Sequence, residues 1–106
     1  MKVINLTPHD VDICDEYGNV IKTYYASGTV ARVRSDWSNI GAIDGVPLVA
    51  RDNDDVIGLP EPQKDVFYIV SNIVLEYCSD RIDIVAPVRQ VKINGRVVGC
   101  LAFAGN

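Results

Sequence analysis

Six residues of this chain carry the groups from which a binding site could be built: Thr7, His9, Arg32, Ser71, Arg81 and Asp83. The two guanidinium groups offer charge-assisted, bidentate bonds to phosphate or carboxylate. Asp83, two residues after Arg81, falls on the same side of a β pattern. The pair either grips a ligand, with Asp83 accepting from a ribose or base, or neutralises itself at a strand entry. Thr7-Pro8-His9 follows an apolar run and reads as a sharp turn that presents a hydroxyl and an imidazole together. It reads equally as a turn in which Thr7 caps and His9 bonds a carbonyl. Ser71-Asn72 stands between an apolar run and an amphipathic segment, where free N–H groups at a helix start favour an anion. The plainer role of Ser71 is an N-cap. All six are polar groups at the ends of apolar strands, where burial without a partner is costly. They are expected around one pocket.

Other chemistries are poorly supplied. There is one histidine, no G-x-S-x-G around a serine and no glycine-rich phosphate loop. Cys14, Cys78 and Cys100 are odd in number and form no C-x-x-C. A disulfide framework and a Cys/His zinc site both fail, leaving small apolar core residues in a reducing cytosol. Asp52, Asp54 and Asp55 lack the offsets of a calcium loop and read as a solvated loop. No cofactor and no metal are expected. A hydrolase would have to use His9 and Asp83 as acid and base, or pair a cysteine with His9. Net charge is −4, and the arginines are dispersed, which disfavours duplex nucleic acid and anionic membranes. No apolar run reaches the roughly 18 residues of a membrane span, and the start does not read as a signal peptide. A single domain spanning residues 1–106 in the cytoplasm of a bacterial host cell is expected.

The elements that must position these groups are mostly short strands. Val3–Leu6 is stopped by Pro8. Val11–Cys14 and Val20–Tyr25 flank the turn cluster Asp15–Asn19 as a hairpin. Thr29–Arg34 alternates and puts Arg32 and Arg34 on one face. Residues 35–65 read as ordered loop with short strands. Within it, Val46–Ala50 is an edge candidate because of Pro47, Arg51–Asp55 is an acidic loop, and Gly58–Pro62 is extended. Asp65–Val70 is a central strand buried on both faces. The short helix Ile73–Cys78 should bury Ile73, Val74 and Tyr77. Ile82–Ala86, stopped by Pro87, completes a β-α-β unit with a parallel pair. Val88–Ile93 and Arg96–Phe103 flank Asn94-Gly95, a type I′ hairpin signal. The class is α+β: a mostly β mixed sheet with hairpins and one short helix. Tyr24-Tyr25 and Phe67-Tyr68 should each send one ring to the core and leave one for a ligand or a partner chain. A homo-oligomer is expected, because small pockets are often completed between subunits.

Several segments together resemble small proteins of phages and prophages. They are Ile4-Asn5-Leu6-Thr7-Pro8-His9, Ser27–Val33, Gly58-Leu59-Pro60-Glu61-Pro62, Tyr68-Ile69-Val70-Ser71 and Arg81–Pro87, in that order and across almost the whole chain. Phage proteins of this size include sponges that sequester nucleotide second messengers of bacterial immunity. By that analogy the chain is a non-enzymatic binder of a small phosphorylated nucleotide-like ligand. Arg32 and Arg81 would supply charge, the Ser71 turn its amides, and Thr7 and His9 the rim. The alternative class is a protein-interaction module that inhibits a host enzyme or serves virion assembly. A small hydrolase is the third. A pocket lined by arginine favours the first, and an exposed apolar patch favours the second.

Overall fold

The computed structural model describes residues 1–106, apart from the side chain of Asn53. The chain runs β1 (Lys2–Asn5), β2 (Val11–Cys14), β3 (Val20–Tyr24), β4 (Arg32–Ile43), β5 (Val46–Ile57), β6 (Val66–Ile69), α1 (Asn72–Tyr77), β7 (Ile84–Ile93) and β8 (Arg96–Gly105). It is an α+β fold with a mixed, mostly β architecture and one short helix. Six strands form one sheet in the order β1-β6-β7-β8-β2-β3, and β4 and β5 pair only with each other.

The six-stranded sheet wraps on itself. A parallel bridge joins Asn5 at the end of β1 to Ala26 just beyond β3, so the two outer strands meet at one end of a seam. One face of the sheet turns inward around Val11, Ile69 and Cys100, with Val3, Ile13, Tyr24, Val85 and Phe103 beside them. The outer face is covered by α1 through Val74 and Leu75, together with Leu6, Tyr68, Val70, Ile84 and Ala86. β6 lies between these layers, and Tyr68, Ile69 and Val70 are all buried. That is the physical reason for its unbroken apolar run. β6 and β7 are parallel, joined through α1 as the strand-helix-strand pattern requires.

The helix starts where Ser71 accepts from the Val74 amide at 3.3 Å. Its buried side is Val74 and Leu75, whereas Ile73 and Tyr77 are exposed. The expected helical face is therefore rotated by about one position. The Asn94-Gly95 turn has φ of +53° and +78°, the two positive values of a type I′ turn. β7 does not stop at Pro87. Its pairing with β6 has ended by Val85, so the missing N–H removes no ladder bond on that side.

The largest departure lies in residues 32–57. The expected loop with short strands, including the acidic stretch Arg51–Asp55, is one hairpin of two twelve-residue strands turning at Asp44-Gly45. Its base packs through Val33 and Val56 onto the outer core. At that base Gly58 has φ +82°, and a Cβ there would fall 2.2 Å from the Val30 carbonyl oxygen. Only glycine allows the two chain segments to approach so closely. Beyond its base the hairpin projects as an arm. The radius of gyration is 17.3 Å, against about 13 Å for a compact chain of this length.

Candidate functional site

The Thr-Pro-His turn is organised by its neighbour Asn5, which is 2% exposed. The Asn5 side-chain amide donates to the carbonyls of His9 at 2.8 Å and Tyr24 at 2.9 Å. Its oxygen accepts from the Thr7 amide at 2.9 Å and lies 2.6 Å from the Thr7 hydroxyl. That hydroxyl is also 2.9 Å from the His9 carbonyl, so its single proton has two acceptors. The Asn5 main-chain carbonyl accepts from Ser27. Two donors and two acceptor positions of one amide are thus used to bind the sheet seam, the full capacity of the group. The Asn5-Leu6-Thr7-Pro8-His9 sequence builds this seam.

Arg81 and Asp83 form a bidentate pair. The Arg81 Nε and Nη2 donate to the two Asp83 oxygens at 2.7 Å each, and Nη2 also donates to the Pro60 carbonyl at 2.9 Å. The pair is mostly buried. Hydrogen bonding from Arg81 holds the Asp83 carboxyl below its ordinary range, and the same bonds raise the Arg81 guanidinium. Asn106 donates to the carbonyls of Cys78 and Arg81 and closes the turn after α1. The guanidinium expected to grip a ligand is occupied in tying the Gly58–Pro62 segment to the start of β7.

The six sequence-selected residues do not surround one pocket, which corrects that expectation. Thr7 and Ser71 follow the paired ends Asn5 and Ile69 of two parallel strands and lie level with each other. Arg32 joins them, because the Ala31 amide donates to the Leu6 carbonyl. Asp83 lies level with Phe67, four residues lower along β6, which is about 13 Å down the sheet. The crossover through α1 separates Ser71 from Arg81 and Asp83, something strand-end polarity could not reveal. His9 and Asp83 are therefore not an acid-base pair. Among the described residues the Arg32 guanidinium and the His9 ring make no hydrogen bond or ion pair, and both are exposed.

Two concavities are present elsewhere. A groove of about 140 Å³ runs beside Asp10, Asp12, Gln90 and Val97. An apolar cavity of about 260 Å³ opens on the inner face of the wrapped sheet, lined by Met1, Val3, Tyr24, Phe67, Val85 and Phe103. Five strands contribute to this mouth. The Tyr24 and Phe103 rings meet at a tilt, with centroids 5.7 Å apart, and the Lys22 ammonium sits 5.1 Å from the Tyr24 ring centre. Phe67 and Tyr68 do send their rings to opposite faces, one to this mouth and one to the outer core. Burial raises the thiols of Cys78 and Cys100, which keeps them protonated and poor nucleophiles.

No family model, curated protein or solved structure matches this chain. Among the described residues no group of three or more His, Cys, Asp or Glu side chains is placed to hold a metal ion, and no helix is long and apolar enough to cross a membrane.

The feature that sequence reasoning missed is the arm. Its proximal part is polar: Arg34 and Asp55 pair loosely, Ser38 donates to Asp52 at 2.6 Å, and Arg51 lies over the Trp37 ring at 5.3 Å. Its distal part is not. Ile40, Ile43, Val46, Leu48 and Val49 are exposed, with Ile43 and Val46 at 63% and 64%. Ile43, Val46 and Leu48 share one face, while Ala42, Pro47 and Val49 share the other. Asp44 is the one charge between residues 40 and 50. The signal was available as Ile43-Asp44-Gly45-Val46, an Asp-Gly turn between β-branched residues. Asp44 and Gly45 have φ of +52° and +77°.

Proposed function

We propose that the protein is a non-catalytic protein-interaction module whose working surface is the distal β4–β5 arm. The observation that carries this reading is an exposed hairpin that is apolar on both faces. An isolated two-stranded hairpin is marginal in water, and a contiguous exposed apolar patch marks a contact surface. The apolar tip is bordered on its proximal side by Asp36, Asp52 and Asp55, with a Trp-Arg stack at the boundary, as an interface core is bordered by a polar rim. In the phage setting that the sequence resemblance implies, such a module serves virion assembly or blocks a host enzyme. The test is chemical cross-linking in the producing cell, comparing wild type with Ile43→Lys/Val46→Glu. Loss of the cross-linked species is expected, with a melting temperature unchanged in dilute solution. An unchanged cross-linking pattern would sink the reading.

Sequestration of a nucleotide-type signal is the second reading. It is favoured by the unpaired Arg32 and His9 beside the carboxyl ends of the parallel strands β1 and β6, where two cationic or polar groups could meet a phosphate. A thermal-shift screen against cyclic dinucleotides, cyclic trinucleotides and cyclic ADP-ribose isomers tests it. A binder should raise the melting temperature by mass action and be recovered intact. Absence of any shift removes this reading, and a cleaved product would revive the hydrolase.

A further inference from the structure

We infer that the occupant of the arm is a second copy of this chain, and that the arm tip of one copy seats in the apolar cavity of the other, lined by Val3, Tyr24, Phe67 and Phe103. The inference rests on the arm being the working surface, and it adds the partner and the receptor.

Four observations support it. The chain exposes 7328 Å², whereas a folded monomer of 11.6 kDa should expose about 5,800 Å². The excess, roughly 1,500 Å² per chain, lies within the range that one protomer buries in a permanent homo-oligomer. Second, the same chain carries both an unfilled apolar hollow and an uncovered apolar projection, around Phe67 and Phe103 on one side and Ile43 and Val46 on the other. Third, both elements are poor in charge on an acidic chain, so two copies meet there without the repulsion that their net charges of −4 create elsewhere. Fourth, what charge there is matches: Asp44 stands at the arm turn, and the Lys22 ammonium stands over Tyr24 at the mouth. Because the arm is apolar on both faces, flat face-to-face pairing of two arms would leave one face of each wet. Insertion seats the tip, with Ile43 and Val46, in the hollow of about 260 Å³.

Each contact joins a knob of one copy to a hole of another, so the assembly closes either as a reciprocal, isologous exchange of arms between two copies or as a ring of heterologous contacts. It also predicts complementation. Sedimentation velocity and native mass spectrometry of the full chain should show a defined oligomer. Ile43→Lys/Val46→Glu removes the knob, and Phe67→Glu spoils the hole and repels Asp44. Each variant alone should lose self-association by about 100-fold or more, since each removes a central anchor. Mixed, they should form a complex containing one of each, joined by the one intact knob and hole. A photo-cross-linking amino acid placed at position 43 covers the case in which Phe67→Glu fails to fold. In the otherwise wild-type chain it should label Val3, Tyr24 or Phe103 of another copy. A monomeric wild type at 50 μM (roughly the working range for a Kd in the micromolar regime) overturns the inference and leaves the arm free for a different protein. An oligomer untouched by the arm substitutions overturns both the inference and the reading beneath it. Labelling confined to a neighbouring arm replaces insertion by arm-to-arm pairing and overturns the proposed receptor.

Discussion

Asn5 at the seam and Ile43 at the arm tip belong to the same chain and are treated in opposite ways. The asparagine is a polar group with almost no access to water, and its amide is saturated by Thr7, His9 and Tyr24. The isoleucine is an apolar group standing mostly in water, as are Ile40, Val46 and Val49 around it. In the body, the cost of burying polar groups is offset by directed hydrogen bonds. On the arm, the gain from burying apolar groups is left unrealised. The contrast separates what holds this molecule together from what it offers to others. Substitutions in the two regions should therefore report on different measurements.

The largest effect is expected at the seam. Asn5→Ala deletes the amide while leaving the Thr7 amide and the His9 and Tyr24 carbonyls short of a partner. A loss of about 3–5 kcal/mol is expected, as for breaking a buried hydrogen-bond network. Domains of this size have only about 5–15 kcal/mol in total. Urea unfolding measures it, and a loss under about 1 kcal/mol would show that the seam does not depend on the amide.

Arg81→Ala comes next. It strands the Asp83 carboxylate and removes the bond to the Pro60 carbonyl. A cost of about 2–3 kcal/mol is expected, below that of a fully buried pair because some solvent reaches this one. The pair also sets an acid limit. Asp83 is held below its ordinary value of 3.8 in the folded state. Its contribution is therefore complete above that value and fades as pH falls further, through the lower folded value. Wild type should lose stability faster than Asp83→Asn on acidification below about pH 4. Parallel curves would deny the pair its role. The Arg81 guanidinium, raised by its hydrogen bonds to Asp83, remains charged throughout this window.

The same division explains what could be read from the residues alone. The body was legible where local chemistry and burial agree. The continuous run at Val66–Ile69, the Ser71 cap and the Asn94-Gly95 turn each follow from one rule, and the mixed, mostly β class follows from their order. Pro87 misled because a proline stop presumes a neighbour on both sides of the strand, and β7 has lost one by that point. The site was less legible. Arg81 and Asp83 were placed correctly on one side, but nothing in their spacing shows that Pro60 completes their bonding. The arm's composition, apolar yet interrupted by Gly, Pro and Asp, points to loop because it fits no buried element. The one local signal, the Asp44-Gly45 turn between Ile43 and Val46, is outweighed by that composition.

A smaller effect of opposite sign is expected at Tyr68. Its ring is 1% exposed, and its hydroxyl has no hydrogen-bond partner. An unpaired buried hydroxyl is a cost, so Tyr68→Phe should leave stability unchanged or raise it by up to about 1 kcal/mol. A loss of more than that would mean that the hydroxyl is bonded to an internal water. The body would then be more completely satisfied than its protein atoms suggest.

The smallest expected effect on folding is at the arm tip, and it sharpens the comparison most. Ile43 and Val46 face each other across the ladder, so Ile43→Lys/Val46→Glu introduces an attractive pair and not a repulsive one. Neither side chain is part of either core cluster. At submicromolar concentration, where self-association is weakest, the double variant should unfold within about 0.5 kcal/mol of wild type. The two should part as concentration rises. Burial that occurs only between molecules stabilises by mass action, so the wild-type melting temperature should climb with protein concentration while that of the variant stays flat. A wild-type curve independent of concentration would remove self-association from the account. A large loss of stability in the dilute variant would show that the tip already packs on its own body, and the distinction between body and arm would then fail.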